Sequence, residues 1–364
     1  LPTTNFIPAD SIVRSPFPTS TLRPAPIITF TPEFIDSTAV PLPEGVELAA
    51  APAFEQETEK YQLPPEQIPL SAQPNDHYYL TRPIDVTANS EYLFSYPYGS
   101  DGQGWRVHHG LDMPNRIGEP VLAANSGTVI CADQTDEAAP ELTCDRLAYT
   151  SYGKVIIVEH DFGWRGQPVY TLYAHLSEML VLEGDHIEMG DVIGLTGATG
   201  FVTGPHVHFE VRVGANDYYS TRNPLLWMAP YIGHGVIAGR VIDENGDYFD
   251  NAQVQLELSG RIIDRTSTYI NPYEVSKTFW NLVPDDNWKE NFVLGDVAAG
   301  TYQLLVVVED ERFFQEVTVN AGITTFVEFR LNDVATPQAF DPQATSIIPT
   351  QGPTALPSAT PVEP

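Results

Sequence analysis

Proline decides where this chain can fold. Residues 1–75 hold 14 of the 32 prolines and residues 333–364 hold 7 more, within a chain of 364 residues. Each proline fixes φ and removes a backbone donor, so such density breaks helices and sheet ladders and leaves extended or disordered chain. The foldable part is then residues 76–332, long enough for two domains. Its texture is one of short apolar runs punctuated by turn residues. Val236-Ile237-Ala238-Gly239-Arg240-Val241-Ile242 runs into Asp243-Glu244-Asn245-Gly246, and Val254, Leu256 and Leu258 alternate in the next run. Runs of this length with frequent turn signals predict a mainly β protein with antiparallel sheets.

Charge narrows the partners. Lys+Arg 18 against Asp+Glu 48 gives a formal charge of -30. That charge argues against nucleic acid and anionic lipid as charge-driven partners, because binding phosphate requires a basic stripe. No apolar run approaches the ~20 residues that span a bilayer. The start at Leu1-Pro2-Thr3-Thr4 reads as an exported protein whose signal or anchor segment has been removed. Cys131 and Cys144, the only cysteines, sit close together in an acidic insertion. A disulfide closing that loop, contributing on the order of 3 kcal/mol, is more economical than a cysteine nucleophile, and it implies an oxidising, extracytoplasmic compartment.

Histidine carries the chemistry. His108-His109-Gly110-Leu111-Asp112 precedes Tyr173-Ala174-His175-Leu176, which precedes Pro205-His206-Val207-His208-Phe209-Glu210. In an extended strand side chains alternate faces, so His206 and His208 share one face while Val207 and Phe209 turn to the other. Glu210 follows on the histidine face, either fixing a ring tautomer or standing exposed on the strand. His108 and Asp112 are four apart, yet Gly110 and Pro114 argue against a helix. His108 is taken as a ligand and His109, pointing the other way, as a cleft-wall residue. Imidazoles with a carboxylate are what a zinc site with an open position requires, which points to a hydrolase. The chain has no Gly-x-Ser-x-Gly elbow and no His-Glu-x-x-His helix motif. His77, His160, His186 and His234 read as ordinary structural or surface residues. The glycines at 194, 197, 200 and 204 lack a following Gly-Lys-Ser and read as turn and close-approach positions.

From about residue 94 to 228 the order of motifs resembles the lysostaphin-type, or LytM-like, zinc endopeptidases that cut peptide bonds in bacterial peptidoglycan. The resemblance rests on Tyr96-Pro97-Tyr98-Gly99, His-x-x-x-Asp, Gly118-Glu119-Pro120-Val121, Gly127-Thr128-Val129, Tyr173-Ala174-His175-Leu176-Ser177, Gly190-Asp191-Val192-Ile193-Gly194 and His-x-His-Phe-Glu. It implies one zinc ion per chain on His108, Asp112 and His208, with His175 and His206 in the catalytic roles and wall peptides as partners. Which histidine is the base stays open.

Residues 235–332 resemble the carboxypeptidase-regulatory-like, prealbumin-type domain through Gly-x-Val, Asn-Gly, Ala-x-Val and Ala-Gly-Thr-Tyr, implying a Greek-key β-sandwich. Between residues 261 and 290 they depart from it, with Tyr269, Tyr273, Phe279, Trp280 and Trp288 in an insertion that packs against the catalytic domain or stacks on glycans. The expected order is a Pro-rich segment over 1–75, the peptidase domain over 76–234, the sandwich over 235–332 and a Thr/Pro-rich tail over 333–364. Two other function classes share the chain: a wall-peptide-binding or regulatory module using the same cleft, and an envelope scaffold built on the sandwich. Removing residues 235–364 is expected to abolish wall attachment and spare any peptidase activity.

Overall fold

The computed structural model describes residues 60–70, 73–93, 96–100, 107–134, 150–270, 282–308 and 311–331, all within one compact unit, Thr58–Pro364. Both proline-rich ends, apart from the segment leading into the fold, lie outside these residues. So do Cys144, and with it the expected pairing to Cys131, and Tyr273, Phe279 and Trp280.

The first half is built from β1 (Leu111–Pro114), β2 (Pro120–Leu122), β3 (Gly127–Gln134), β4 (Lys154–Trp164) and β5 (Gln167–Leu176). It continues with β6 (Glu178–Met179), β7 (His186–Ile187), β8 (Val192–Leu195), β9 (His206–Val213) and β10 (Thr221–Arg222). One sheet runs β1-β9-β5-β4-β3-β7, with β10 also on β9, and a small sheet runs β2-β8-β6. Every pairing in both is antiparallel. β9 is buried from end to end, which explains why its sequence carries both apolar and hydrogen-bonding side chains but little that is solvated.

The second half holds β11 (His234–Ile242), β12 (Gln253–Leu258), β13 (Arg261–Ser267), β14 (Phe292–Ala298), β15 (Gly300–Val308), β16 (Glu311–Val319) and β17 (Thr324–Arg330). They form two sheets, β14-β11-β17 and β13-β12-β15-β16. Ile237, Leu294 and Phe329 from the first meet Val254, Leu304 and Val317 from the second in one apolar cluster. The alternation of Val254 and Leu256 against Gln253 and Gln255 is the reason β12 can bury one face. Within this half β11 and β17 are parallel.

The two halves are not joined by a mere linker. A second apolar cluster contains Tyr78, Tyr173, Phe209 and Trp227 from the first half together with Val236, Tyr269, Trp288, Val293 and Phe326 from the second. Polar contacts follow the same seam. Arg82, 2% exposed, pairs with Asp296, and the hydroxyls of Tyr78 and Thr324 lie 2.5 Å apart. Of the aromatic insertion, Tyr269 and Trp288 are described, and both are buried in this contact. No helix among the described residues is long and apolar enough to cross a membrane.

Candidate metal centre

Antiparallel pairing of β1 with β9 brings together residues nearly a hundred positions apart. Its register sets Asp112 opposite His208 and Pro114 opposite His206, so the carboxylate and both imidazoles leave one face of the sheet. Leu111, Met113, Val207 and Phe209 leave the other face and are fully buried. His208 Nδ1 lies 2.8 Å from Asp112 Oδ1, His108 Nε2 lies 3.1 Å from the same oxygen, and the two ring nitrogens are 3.1 Å apart. A tetrahedral ion with ligands at about 2.0 Å spaces them about 3.3 Å apart. The triangle of donor atoms therefore has the dimensions and the chemistry that fit zinc. Among the described residues it is the one group of histidine, cysteine and carboxylate side chains with such spacing.

The next layer fixes which nitrogen each ring presents. His108 Nδ1 donates to the carbonyl of Tyr96 at 2.7 Å, and its ring stacks on Tyr96 with centroids 4.1 Å apart. His208 Nε2 donates to Glu210 Oε1 at 3.0 Å. Each ring thereby turns its remaining lone pair into the triangle, through Nε2 for His108 and through Nδ1 for His208. Glu210 is itself held by Arg212, whose Nε and Nη2 each lie 2.8 Å from Oε2, and by the hydroxyl of Tyr152. Burial alone would push the Glu210 carboxyl up; Arg212 and the donors His208 and Tyr152 outweigh it and hold the group well below the usual carboxylate range. Tyr96, Tyr152 and Arg212 were missed by sequence reasoning. Arg212 left a signal there, since it continues the alternation of residues 206, 208 and 210, and Tyr96 stood in a quoted motif without being given a role.

His175 reaches the same face by a different device. Ala174 lies opposite His208, so simple alternation would send His175 to the core side with Tyr173. Instead the β4–β5 register slips between Lys154 and Ile156, and His175 has φ of 64°. A bulge with one left-handed residue re-aims the side chain, at a strain of roughly 1–3 kcal/mol. The His175 ring then lies 4.7 Å from that of His206 and 5.8 Å from that of His208. One loop anchors both outer rings: His175 Nδ1 donates to Thr199 O at 2.9 Å, and His206 Nδ1 to Gly204 O at 2.9 Å. Gly200, at φ of 80°, lets this loop pass so close to Ser151 that a Cβ would sit 2.3 Å from its carbonyl oxygen.

Electrostatics separates the rings. Burial, followed by the neighbouring His208 and His206, lowers His175 to about 3, and burial also lowers His206 despite Asp112 nearby. Both are neutral at physiological pH, with Nε2 free of a proton. Burial works against charge on His208 as well, but hydrogen bonds to Asp112 and Glu210 prevail and raise it to about 9. Without an ion, His208 therefore carries a proton at neutral pH. Its contribution to metal-free stability is complete below about 6.5 and is lost as pH rises through about 9. Zinc uptake at pH 7 should release about one proton, and affinity should rise about tenfold per pH unit up to that value. Calorimetry in buffers of different ionisation enthalpy counts the proton; a count of zero would contradict the assignment of His208 as a ligand.

The remaining expected residues fall as follows. His109 is 2% exposed, with Nδ1 3.0 Å from Thr221 Oγ1 and its ring stacked 3.9 Å from that of Tyr218, so it packs into the wall behind the triangle and does not line its opening. His77 faces Asp285 at 3.0 Å, His160 bonds Thr171, His186 sits on the surface against Asp161, and His234 bonds its own turn. None of the four approaches the cluster.

Residues 106–220, which contain all five clustered side chains, match Peptidase family M23. This stretch is an M23 peptidase domain. The chain is 30% identical over 146 residues to lysostaphin of Staphylococcus staphylolyticus, covering 40% of this chain and 26% of that protein. It is 35% identical over 109 residues to the DD-carboxypeptidase/endopeptidase Mpg of Neisseria meningitidis, covering 30% of this chain and 21% of that one. Over 106 residues it is 35% identical to the peptidoglycan DD-endopeptidase ShyB of Vibrio cholerae, covering 29% and 20%. The chain thus spans about a quarter or less of the curated relatives it matches. Among solved structures, the catalytic domain of lysostaphin from Staphylococcus simulans shares 28% identity, with 37% of this chain and 86% of that chain covered and a TM-score of 0.29.

Proposed function

We propose that the chain is a zinc-dependent endopeptidase that hydrolyses peptide bonds in bacterial peptidoglycan, acting outside the cytoplasm. The observation that carries this reading is the convergence of five side chains on one sheet face: a ligand triangle of His108, Asp112 and His208, flanked by two neutral imidazoles with free Nε2 atoms. The relatives named as peptidoglycan endopeptidases supply the substrate class.

Zinc held by the triangle would supply Lewis acidity that polarises the scissile carbonyl and makes water a nucleophile near neutral pH. The chain's own residues do the rest. His175 and His206 each donate Nδ1–H to a carbonyl of the 199–204 loop, so each can take a proton only at Nε2. That leaves two acceptors side by side, and the one that removes the proton from the attacking water is the donor that returns it to the leaving amine. His206 Nε2 lies 3.5 Å from Asp112 Oδ1, where positive charge gained in the reaction is stabilised, so His206 is the better base. Residues 235–332 are read as a prealbumin-type accessory domain, whose Tyr269 and Trp288 share an apolar cluster with the first half.

The test is mass spectrometry of fragments released from purified peptidoglycans of several cross-link types. New peptide termini are expected with the zinc-loaded protein and not with metal-stripped or His206→Ala protein. Release of none, with zinc bound stoichiometrically, would replace the enzyme by a wall-peptide-binding or regulatory module.

A further inference from the structure

His108 is held by a turn that the second half of the chain braces. The turn at Pro97–Ser100 is tied to the ligand strand by two backbone bonds, Gly99 N to His108 O and His108 N to Ser100 O, both 2.8 Å. With the Tyr96 carbonyl on Nδ1, this turn sets the His108 backbone and ring alike. Behind it stands Tyr269, 1% exposed, from the segment between β13 and β14. Its ring packs edge-on against Tyr98 with centroids 5.2 Å apart. Gly99, at φ of 82°, lies so close that a Cβ there would be 2.4 Å from Tyr269 Cδ1. The next residue completes the brace, as Ile270 N donates to Gly99 O at 2.9 Å.

Tyr269 is fixed on its far side as well. Its hydroxyl donates to Glu290 Oε1 at 2.9 Å and accepts from Asn223 Nδ2 at 2.9 Å, and its own N–H donates to Asn291 O. The ring is therefore a wedge held between the second half of the chain and the Tyr96–Ser100 turn.

We infer that Tyr269 is a positioning residue for the metal centre: the second half of the chain, through this ring, sets His108 in the ligand triangle and so tunes metal affinity. The inference rests on the reading of His108 as a ligand. Residues bonded directly to a metal ligand commonly alter its affinity by roughly 10–100-fold; Tyr269 acts through one further contact, so a loss at the low end, about tenfold, is expected for Tyr269→Ala. Tyr269→Phe keeps the ring and is expected to stay within about twofold of wild type by the same measure, a rescue that separates the wedge from the hydroxyl network.

The experiment titrates metal-stripped full-length protein with Co²⁺ and Zn²⁺, reading the cobalt visible bands and a chelator competition, with circular dichroism to establish folding. Tyr269→Leu, which keeps bulk without a flat ring, takes the place of the alanine variant should that one not fold. Weakened binding with altered cobalt bands in the alanine or leucine variant, restored in Tyr269→Phe, supports the wedge. Wild-type affinity in a folded alanine or leucine variant overturns it, as does an equal loss in Tyr269→Phe. Failure of the wild-type protein itself to bind either ion would instead overturn the ligand reading.

Discussion

His175→Ala is expected to bind one zinc ion like the wild-type protein and to lose about 10²–10⁴-fold in kcat, whereas His208→Ala is expected to lose the ion. The two rings are 5.8 Å apart and differ in what holds them. His175 has its ring anchored by the Thr199 carbonyl and lies outside the ligand triangle, so its removal takes away a proton acceptor without disturbing Asp112 or His108. His208 sits between two carboxylates. Its loss leaves Asp112 and His108 as a two-donor site and strands Glu210 against Arg212. Metal content by mass spectrometry and turnover on isolated peptidoglycan decide the matter. Stoichiometric zinc in His208→Ala, or near-normal kcat in His175→Ala, would refute the division of roles.

A chain ending after residue 234 is expected to be unfolded, with no activity at all. This reverses the expectation from sequence that residues 235–364 can be removed with the peptidase left intact. Truncation would expose Tyr78 and Trp227, each burial being worth about 1.5–3 kcal/mol. It would also strip Arg82 of Asp296, the partner that holds its guanidinium in the seam. Tyr92 would lose the Gly295 amide, and His77 would lose Asp285. Against a total stability of about 5–15 kcal/mol, these losses are decisive. Circular dichroism and thermal unfolding of the truncated chain provide the measurement, and a cooperative transition near that of the full chain would refute the prediction.

How much could be read in advance varies residue by residue. The shared face of His206, His208 and Glu210 was legible because strand alternation is local: it follows from the period of two and requires no partner. That Asp112 sits opposite His208 was not, since cross-strand register depends on every turn and apolar contact between them. Tyr152 gave no sign, because it follows an insertion and meets Glu210 only across the fold. His175 appeared as a marked residue but with the wrong face for alternation; its bulge arises from packing of β4 on β5 and from the loop at Thr199. The insertion's aromatics were legible as either packing or glycan-stacking residues, and nothing in the sequence singled out Tyr269 as the one that reaches the His108 turn.

By itself the sequence determined the mainly β texture and the identity and alternation of the histidine clusters. These are properties of single residues and their near neighbours, set by backbone sterics and hydrophobic period. Tertiary structure decided the rest: the register that closes the ligand triangle, the nitrogen each ring presents, the bulge that turns His175 inward, and the continuous core that makes both halves one unit. Each depends on contacts between segments tens to hundreds of residues apart, whose geometry is settled only when the whole chain packs.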